Sequence, residues 1–286
     1  MHRVVIVIPI YREKLKVSEQ ISLERAKEIL GNYDIVYIAP ERLRSYLKKD
    51  DLKSEYWPNQ CFESIVAYSK LLLTEEFYQR FCNYEYILIY QLDAFVFSDK
   101  LQDFCNMGYD YIGAPMPPYW SSWANIRMRV GNGGFSLRKI ESCRRVIALK
   151  NMIYAQTGRG YEFEPSEDKF FGYCGSNKEI QFFIPDTDTA IQFSIEFNVK
   201  DFWRKLSFEH LPFGCHAWSK PQYFDFWRKY IEYFAGDLSA VADEIQERNT
   251  CLYQKIRRKK LEQYLLHRLY RSHEKSETKI LSENYL

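Results

Sequence analysis

The 286-residue chain is long enough for one large domain, and a domain of this size buries roughly 75% of the surface that its unfolded chain exposes. Hydrophobic residues make up 46% of the sequence and charged residues 27%, a balance that excludes a largely disordered chain. The net charge of +2 gives no general attraction to nucleic acids, and the motifs of nucleic-acid-binding modules are missing. We therefore expect no nucleic-acid partner.

The cysteines and the N-terminal residues favour a cytoplasmic protein. The seven cysteines are an odd number, lie far apart and show no C-x-x-C spacing, which is typical of reduced thiols. Residues 4–8 are apolar, but Pro9 ends this run before it reaches the length of a signal peptide. No stretch approaches the roughly 20 apolar residues that a membrane-spanning helix requires.

The first 40 residues predict a β-α-β unit. The β-branched run at residues 3–10 is typical of a strand buried on both faces of a parallel sheet. Ser18 is the predicted N-cap of the following helix, and Gly31 stands at its end, where a left-handed residue is expected. Residues 35–39 predict the second strand, which Pro40 ends, and the crossover should be right-handed.

The next two segments predict a helix and a strand that leads into a polar turn. Apolar residues recur at helical spacing between Phe62 and Phe81, which predicts one long helix. Residues 86–90 predict a buried strand, and Gln91 and Asp93 follow it, where ligands of open α/β sheets gather. These two side chains would project to the same face and could bind a divalent cation together with phosphate. Alternatively, Asp93 only caps a turn.

A glycine-rich stretch precedes the next predicted strand, at residues 134–137. Prolines and aromatic residues between 115 and 135 predict a long loop over the site. The sequence Gly131-Asn132-Gly133-Gly134 follows, and glycine allows a ligand to approach the backbone closely. This stretch forms either a wall of the site or a plain tight turn. A helix is predicted at residues 141–149.

Two acids, Glu167 and Asp168, stand at a predicted helix start, where the helix dipole stabilises carboxylates. One of them could also act as a general base, because a base needs only to reach a hydroxyl at hydrogen-bonding distance. We favour Asp168, since Phe170 and Phe171 can bury one side of the helix while the acid faces elsewhere.

A diphosphate would have to be neutralised by other means than a glycine-rich phosphate loop, because neither common motif of that kind is present. A metal ion could do so, and Arg12 and Lys70 are candidates in the N-terminal half, unless each is only a solvated surface charge. His216 either packs as a core residue or completes a carboxylate-based metal site. We expect it to meet Asp93 at one cation–diphosphate site.

The order of these motifs resembles that of GT-A-type glycosyltransferases, in particular an uncharacterised bacterial family of cell-surface polysaccharide loci. The resemblance covers about residues 3 to 218. It rests on the following segments: Pro9-Ile10-Tyr11-Arg12, Tyr90-Gln91-Leu92-Asp93, the G-N-G-G-F-S-L-R stretch, Glu167-Asp168 and Phe213-Gly214-Cys215-His216-Ala217-Trp218. It implies an α/β fold with a Rossmann-type central sheet, mostly parallel and flanked by helices.

The resemblance also implies roles for the polar side chains. Asp93 would be the metal-proximal acid of the D-x-D position, and His216 the C-terminal metal or diphosphate ligand. Asp168, or second to it Glu167, would match the catalytic base. Gln91 replaces the first acid of D-x-D, which leaves open whether the protein depends on a divalent cation, Mn²⁺ or Mg²⁺, at all.

The remaining implied contacts concern the donor. Gly133 and Gly134 would border the donor sugar and the acceptor, while Tyr11 and Arg12 would lie near the nucleotide. The implied reaction is an in-line displacement that inverts the anomeric centre, from a nucleoside-diphosphate sugar to a hydroxyl of a glycan or lipid-linked glycan. It would serve bacterial surface polysaccharide synthesis.

Two other functions stay open. A non-catalytic nucleotide-sugar- or carbohydrate-binding module would explain Gln91. A metal-dependent phosphohydrolase would be expected to carry more clustered acids and histidines than this sequence does.

We expect a GT-A-like domain at residues 1–218 and a helical, basic extension at residues 219–286. Basic residues at 255–260 precede four leucines between 261 and 269, which predicts an amphipathic helix able to meet an anionic membrane surface. The protein would then work at the inner face of the cell membrane. A solvated helix packed on the domain is an equal alternative.

Overall fold

The computed structural model describes residues 2–48, 53–117, 122–123, 126–202 and 210–250. The strands, in chain order, are β1 His2–Pro9, β2 Asp34–Pro40, β3 Ser54–Trp57, β4 Tyr84–Tyr90, β5 Phe95–Val96, β6 Tyr111–Ile112, β7 Ser122–Trp123, β8 Ile126–Arg127, β9 Phe135–Lys139, β10 Ser194–Ile195 and β11 Gly214–Cys215. The helices are α1 Val17–Leu30, α2 Arg44–Leu47, α3 Ile65–Leu71, α4 Glu75–Gln79, α5 Leu101–Asn106, α6 Ile140–Ala148, α7 Lys150–Thr157, α8 Gly160–Phe163, α9 Glu167–Ser176, α10 Thr187–Phe193, α11 Val199–Phe202 and α12 Pro221–Ala235.

The chain divides into two compact units. Residues 1–237 belong to the first, and the second begins at Leu238, with residues 239–250 helical. The domain boundary after residue 218 stays a prediction, and the basic segment of the tail lies outside the described residues. None of the described helices is long and apolar enough to cross a lipid bilayer.

A six-stranded sheet, in the order β3-β2-β1-β4-β9-β6, forms the centre of the first unit in the described part of the chain. β1 pairs in parallel with β2 and β4, and β2 pairs in parallel with β3. β9 runs antiparallel to both of its neighbours, β4 and β6. The predicted α/β fold, with a mostly parallel central sheet flanked by helices, is confirmed.

The central sheet is buried on both faces, which explains the unbroken apolar run of β1. Val5 and Val7 belong to one core cluster, while Val4, Ile6 and Ile8 belong to another. Because successive side chains of a strand point to opposite faces, a strand between two cores must be apolar at every position.

The single long helix predicted between Phe62 and Phe81 is wrong. The structure has a 3₁₀ turn at Asn59–Phe62 and then two short helices, α3 and α4. The side chains of Ser64 and Thr74 each accept a hydrogen bond from the backbone N–H three residues later, so each starts a new helix. The apolar spacing was helical, but these caps divide it.

Both predicted end signals of α1 need correction. The helix begins at Val17, before Ser18, because the Glu19 carboxylate accepts the backbone N–H of Lys16 at 2.9 Å and caps the first turn. Gly31 has φ of −66°, which is not left-handed. Space explains this glycine instead, since a Cβ there would lie 2.3 Å from the Lys27 carbonyl oxygen.

Candidate active site

The polar turn after β4 lies beside the glycine-rich stretch, here called the glycine turn (residues 131–134). β9 pairs with β4 so that Phe135 faces Tyr90, and Gln91 N donates to Gly134 O at 2.8 Å. The antiparallel β9 therefore carries the glycine turn to the carboxyl end of β4, where Asp93 lies. Ligands of open α/β sheets bind at such strand ends.

Short strand pairs bring His216 to the same place. β11 pairs antiparallel with β5, and Cys215 faces Phe95, two residues beyond Asp93. The backbone N–H of Trp218 donates to Asp93 O at 3.2 Å, which fixes the segment that follows His216. Asp93 and His216 thus meet although they are 123 positions apart in the sequence.

His216 lies between two carboxylates. Its Nε2 is 2.9 Å from Asp93 Oδ1, and its Nδ1 is 3.3 Å from Glu196 Oε2. Lys220 Nζ lies 3.5 Å from the other Glu196 oxygen. These four residues, here called the histidine cluster, alternate in charge as Asp93, His216, Glu196 and Lys220.

This alternation sets the ionisation of the two central groups. Burial by itself would lower the pKa of His216, but Asp93 and Glu196 raise it to about 10. Burial would raise the pKa of Asp93, but the charge of His216 and its contact lower it to about 2. Without a bound cation, both groups are therefore charged at neutral pH, and a cation that bound to His216 would have to displace its proton.

Gly134 leaves the room that the histidine cluster needs. A Cβ on Gly134 would lie 2.1 Å from His216 Nε2 and 2.7 Å from Gln91 Oε1. Both atoms therefore converge on the bare backbone of the turn. A side chain at this position would push them out, which is why the residue must be glycine.

The side-chain oxygen and nitrogen atoms at this end of the glycine turn could bind a hard divalent cation if a ligand supplied further oxygens. Among the described residues, no three His, Cys, Asp or Glu side chains are grouped as a metal site. Asp93 and His216 do meet, however, and neither ring nitrogen of His216 makes an aligned hydrogen bond in the described structure. Together with the Gln91 amide oxygen they would form a mixed oxygen and nitrogen set once His216 releases the proton on Nε2, and Mg²⁺ or Mn²⁺ could complete this set with phosphate oxygens and water.

The other end of the glycine turn holds Asp168. Its Oδ2 accepts the backbone N–H of Asn132 at 2.9 Å, and lies 3.3 Å from where a Cβ on Gly131 would be. Asn132 has a φ of 66°, and its side-chain Oδ1 accepts the N–H of Gly134 at 3.1 Å. Asn132 Nδ2 is buried and makes no hydrogen bond within the described structure.

Glu167 and Asp168 form the first turn of α9, but their surroundings differ. Glu167 is buried, with one oxygen 2.9 Å from Arg138 Nη2 and the other accepting from Ser69 Oγ at 2.7 Å. Asp168 is partly exposed. Burial and then the charge of Glu167 raise the pKa of Asp168, to about 6. Of the two acids, Asp168 is the one that can reach a ligand.

Tyr11 and Arg12 follow β1, which runs parallel to β4, so they lie beyond the carboxyl end of the strand next to it. The Arg12 guanidinium stacks on the Tyr11 ring, 4.5 Å from its centre, and lies 2.9 Å from Glu19 Oε1. Burial and then the charge of Glu19 raise the pKa of Tyr11, and the charge of Asp93 adds a smaller effect in the same direction.

Lys70 lies on α3, one residue after Ser69. Its Nζ is 2.9 Å from Glu164 Oε2, and both side chains are well exposed. This ion pair joins α3 to the segment before α9. The structure therefore places Lys70 near the Glu167 side of the glycine turn, and a role in holding phosphate stays a prediction.

Sequence reasoning missed Glu196, Lys220 and Arg138. Lys220 stands just before Pro221, the first residue of α12, and this helix start was a usable signal four residues after His216. Glu196 follows a strand of only two residues, and Arg138 is a charged residue inside a buried strand. Neither has a local pattern that would identify it.

Residues 51–216 match the family described as "Protein of unknown function (DUF5672)". The chain belongs to this family. The matched range includes Asp93, the glycine turn, Asp168 and His216, whereas Tyr11 lies outside it. No protein of curated function matches the sequence.

Three similar solved structures are glycosyltransferases by name. Glycosyltransferase GlyE of Streptococcus pneumoniae TIGR4 has a TM-score of 0.51 and 11% identity, with 87% of this chain and 64% of that chain covered. A glycosyltransferase involved in the glycosylation of the major capsid of PBCV-1 has a TM-score of 0.48, 14% identity, and 81% and 99% coverage. Mouse xyloside xylosyltransferase 1 has a TM-score of 0.47, 13% identity, and 75% and 97% coverage.

The likeness to GlyE concerns the fold. The chain spans 64% of the length of the GlyE chain, so it corresponds to a part of that protein. At 11% identity the two proteins share the arrangement of the α/β fold rather than a set of aligned side chains.

Proposed function

We propose that this protein is a glycosyltransferase that moves a sugar from a nucleoside-diphosphate sugar to a hydroxyl of an acceptor. One observation carries the proposal: the two ends of the glycine turn hold two different chemical groups. Gly134 packs against His216 of the histidine cluster, and the Gly131–Asn132 end contacts Asp168. Three residues span at most about 10 Å. A donor sugar and its diphosphate can bridge that distance. GlyE, which has a similar fold, is named a glycosyltransferase.

The histidine cluster is the proposed diphosphate end. Asp93 and His216, with the Gln91 amide oxygen, would hold Mn²⁺ or Mg²⁺, which when bound neutralises charge on the departing diphosphate. Lys220 adds a positive charge from the chain itself at this end. Arg12 and Tyr11, beyond the carboxyl end of β1, would lie against the nucleotide.

Asp168 is the proposed base. With a pKa of about 6 it is mostly ionised at neutral pH yet basic enough to take a proton from an acceptor hydroxyl. The N–H of Asn132 holds its Oδ2 beside the turn, and the unpaired Asn132 Nδ2 can donate to a sugar hydroxyl. Gly133 and Gly134 would line the sugar and acceptor. A single in-line displacement by the activated hydroxyl inverts the anomeric centre.

The acceptor and setting follow from the resemblance to polysaccharide-locus enzymes and stay proposals. The acceptor would be a glycan or lipid-linked glycan of a bacterial surface polysaccharide, made in the cytoplasm. The basic tail would hold the protein at the inner face of the membrane.

A second candidate function is a donor-binding module without turnover. Gln91 favours it, because a neutral amide stands where an acid would bind a cation more strongly. Such a protein would bind a nucleotide sugar as tightly as an enzyme does and would release no product.

A panel of nucleotide sugars, screened by thermal shift with and without Mn²⁺, tests the proposal. At 100 times its dissociation constant, the correct donor should stabilise the fold by about 2.7 kcal/mol. Asp93→Asn should abolish this shift. The matched control Asp103→Asn removes an exposed carboxylate on α5 and should keep it.

The products then separate the candidates. A transferase releases the nucleoside diphosphate and yields a glycosylated acceptor, a binding module releases nothing, and a phosphohydrolase frees inorganic phosphate. If no nucleotide sugar stabilises the wild-type protein, the proposed function is wrong.

A further inference from the structure

Arg138 and Glu167 form a buried ion pair directly behind the glycine turn. The Arg138 side chain is fully buried, its Nη2 lies 2.9 Å from Glu167 Oε1, and the Glu167 side chain is 7% exposed. The second Glu167 oxygen accepts a hydrogen bond from Ser69 Oγ at 2.7 Å. Both oxygens are therefore occupied by protein groups, and this carboxylate is not available to a substrate.

Arg138 also binds the turn itself. Its Nη2 donates to Gly133 O at 3.1 Å, and its Nε donates to Ser136 Oγ at 3.0 Å. Its third nitrogen, Nη1, donates to Tyr78 OH at 3.1 Å. A Cβ on Gly133 would lie 1.9 Å from Glu167 Oε1, so the carboxylate packs directly on the turn backbone. One guanidinium thus joins the turn to the start of α9.

A buried pair of this kind is poor evidence for stability alone. Replacing both partners by well-packed apolar residues is often neutral or stabilising, because burying two charges costs about as much as their attraction returns. The position of Arg138 and Glu167 behind the proposed site indicates a different role. Asp168, the next residue after Glu167, shows what that role is.

We propose that Glu167, locked by Arg138 and Ser69, is a positioning residue that fixes Asp168 against the glycine turn and keeps a negative charge beside it. The inference rests on the proposed function only in calling Asp168 the base. Asp168 Oδ2 accepts the N–H of Asn132 at 2.9 Å from the side of the turn. Glu167 packs against Gly133 of the same turn and is itself held by Arg138 and Ser69.

The negative charge of Glu167 raises the pH at which Asp168 accepts a proton. Burial raises its pKa most, the charge of Glu167 comes next, and Glu196 adds a smaller effect, for a value of about 6. Other ionisable groups also face this region: the buried side chains of Tyr68, Tyr78, Tyr111 and Arg138. Since Arg138 is paired with Glu167, its charge compensates that acid more than it does Asp168.

The Asn132 amide reports the protonation of Asp168 without any substrate. Its N–H donates to the Asp168 carboxylate, so its ¹H–¹⁵N chemical shift should titrate with that carboxylate. In the full-length protein we expect a midpoint near 6. Glu167→Gln keeps the shape and removes the charge, so the midpoint should fall by about one pH unit. Glu164→Gln, at an exposed acid three residues earlier, should leave it in place.

An unchanged midpoint in a folded Glu167→Gln protein overturns the proposal. If that variant does not fold, Ser69→Ala is used, because it keeps the charge and frees one Glu167 oxygen. Hydrogen exchange of the Gly134 amide should then be about tenfold faster. The reason is that Glu167 loses a hydrogen bond to its charged carboxylate and no longer holds the glycine turn firmly. Ser142→Ala, which removes the 2.6 Å hydrogen bond to Asp110, is the matched control and should leave Gly134 unchanged. Equal exchange in wild type and Ser69→Ala contradicts the positioning role.

Failure of the proposed function gives a different result. The titration and the exchange are read in the resting protein, so they can behave as expected while no nucleotide sugar binds. In that case Glu167 positions Asp168 for another reaction.

Discussion

Asp93 and Asp168 are the same residue type at two ends of one glycine turn, yet their surroundings give them opposite acid–base properties. Asp93 touches His216, whose positive charge outweighs burial and lowers the pKa of Asp93 to about 2. Asp168 stands next to Glu167, and burial and that negative charge raise its pKa to about 6. Pairs of titratable groups whose environments push their pKa values apart commonly take different acid–base roles at an active site.

The difference arises from where the compensating cations lie. At the histidine cluster each acid contacts a cation, His216 or Lys220. At the other end, the cation Arg138 is engaged by Glu167 and leaves Asp168 uncompensated. The Asp93 carboxylate therefore stays charged to a lower pH than an ordinary aspartate does, whereas Asp168 takes up its proton at a higher pH.

The largest expected effect comes from removing the cation behind Asp168. Arg138→Met leaves Glu167 buried without its partner and should lower the free energy of unfolding by about 3–5 kcal/mol. Arg44→Met is the matched control, because the Arg44–Glu41 pair is 2.7 Å apart with both side chains more than 40% exposed. Arg44→Met should lower the free energy of unfolding by no more than about 1 kcal/mol. Urea denaturation measures both.

The companion variant sharpens this prediction. Adding Glu167→Leu to Arg138→Met removes the unpaired charge and should recover much of the lost stability. If Arg138→Met and Arg44→Met cost the same, the buried pair does not compensate charge as described.

The next effect concerns the space that the histidine cluster occupies. Gly134→Ala places a methyl group 2.1 Å from His216 Nε2, so the ring must move, at a cost of about 1–3 kcal/mol. Donor-dependent thermal stabilisation should be lost as well. Gly108→Ala, in open space at a φ of 76°, should cost about 1–2 kcal/mol through backbone strain alone and keep the donor effect.

Normal donor binding by Gly134→Ala would show that the approach of His216 to the turn is unimportant. Equal loss in both glycine variants would assign the effect to general destabilisation instead.

The smallest expected effect is a change in the pH dependence of stability, with opposite signs at the two acids. The pKa of Asp168 is raised, so its contribution favours folding below about pH 4 and is lost as the pH rises to about 6. Asp168→Asn cannot ionise and should therefore gain stability over wild type across that window. The melting temperature should rise by roughly 2–4 °C for each kcal/mol.

Asp93 should behave in the opposite way. Its lowered pKa stabilises the fold above about pH 4, so Asp93→Asn should melt below wild type at pH 7 in a chelator. Shifts of the same sign in both variants would mean that their environments do not differ as described.

The fold could largely be predicted from local pattern. The apolar runs of β1, β2 and β4 indicated buried strands, because a strand between two cores has no polar side. The helix break after Leu71 was harder to predict from the sequence, since the apolar spacing continues through it. Only the cap at Thr74, a single side chain, divides α3 from α4.

The residues of the candidate site could be proposed one by one from the sequence, but their network of contacts could not. Asp93, Asp168 and His216 each stand at the end or start of an element, which sequence reasoning can locate. Their ionisation depends on Glu196 and Arg138, which come from distant parts of the chain and have no local signal. Partner choice of this kind is decided by tertiary packing.

The most direct test of the account measures donor affinity and sugar transfer together for Asp93→Asn and Asp168→Asn. Asp93→Asn should lose donor affinity. Asp168→Asn should bind the donor as wild type does, while transfer to the acceptor falls by about 10²- to 10⁴-fold, the usual contribution of a general base. Near-normal transfer by Asp168→Asn would contradict the division between a binding acid and a reacting acid.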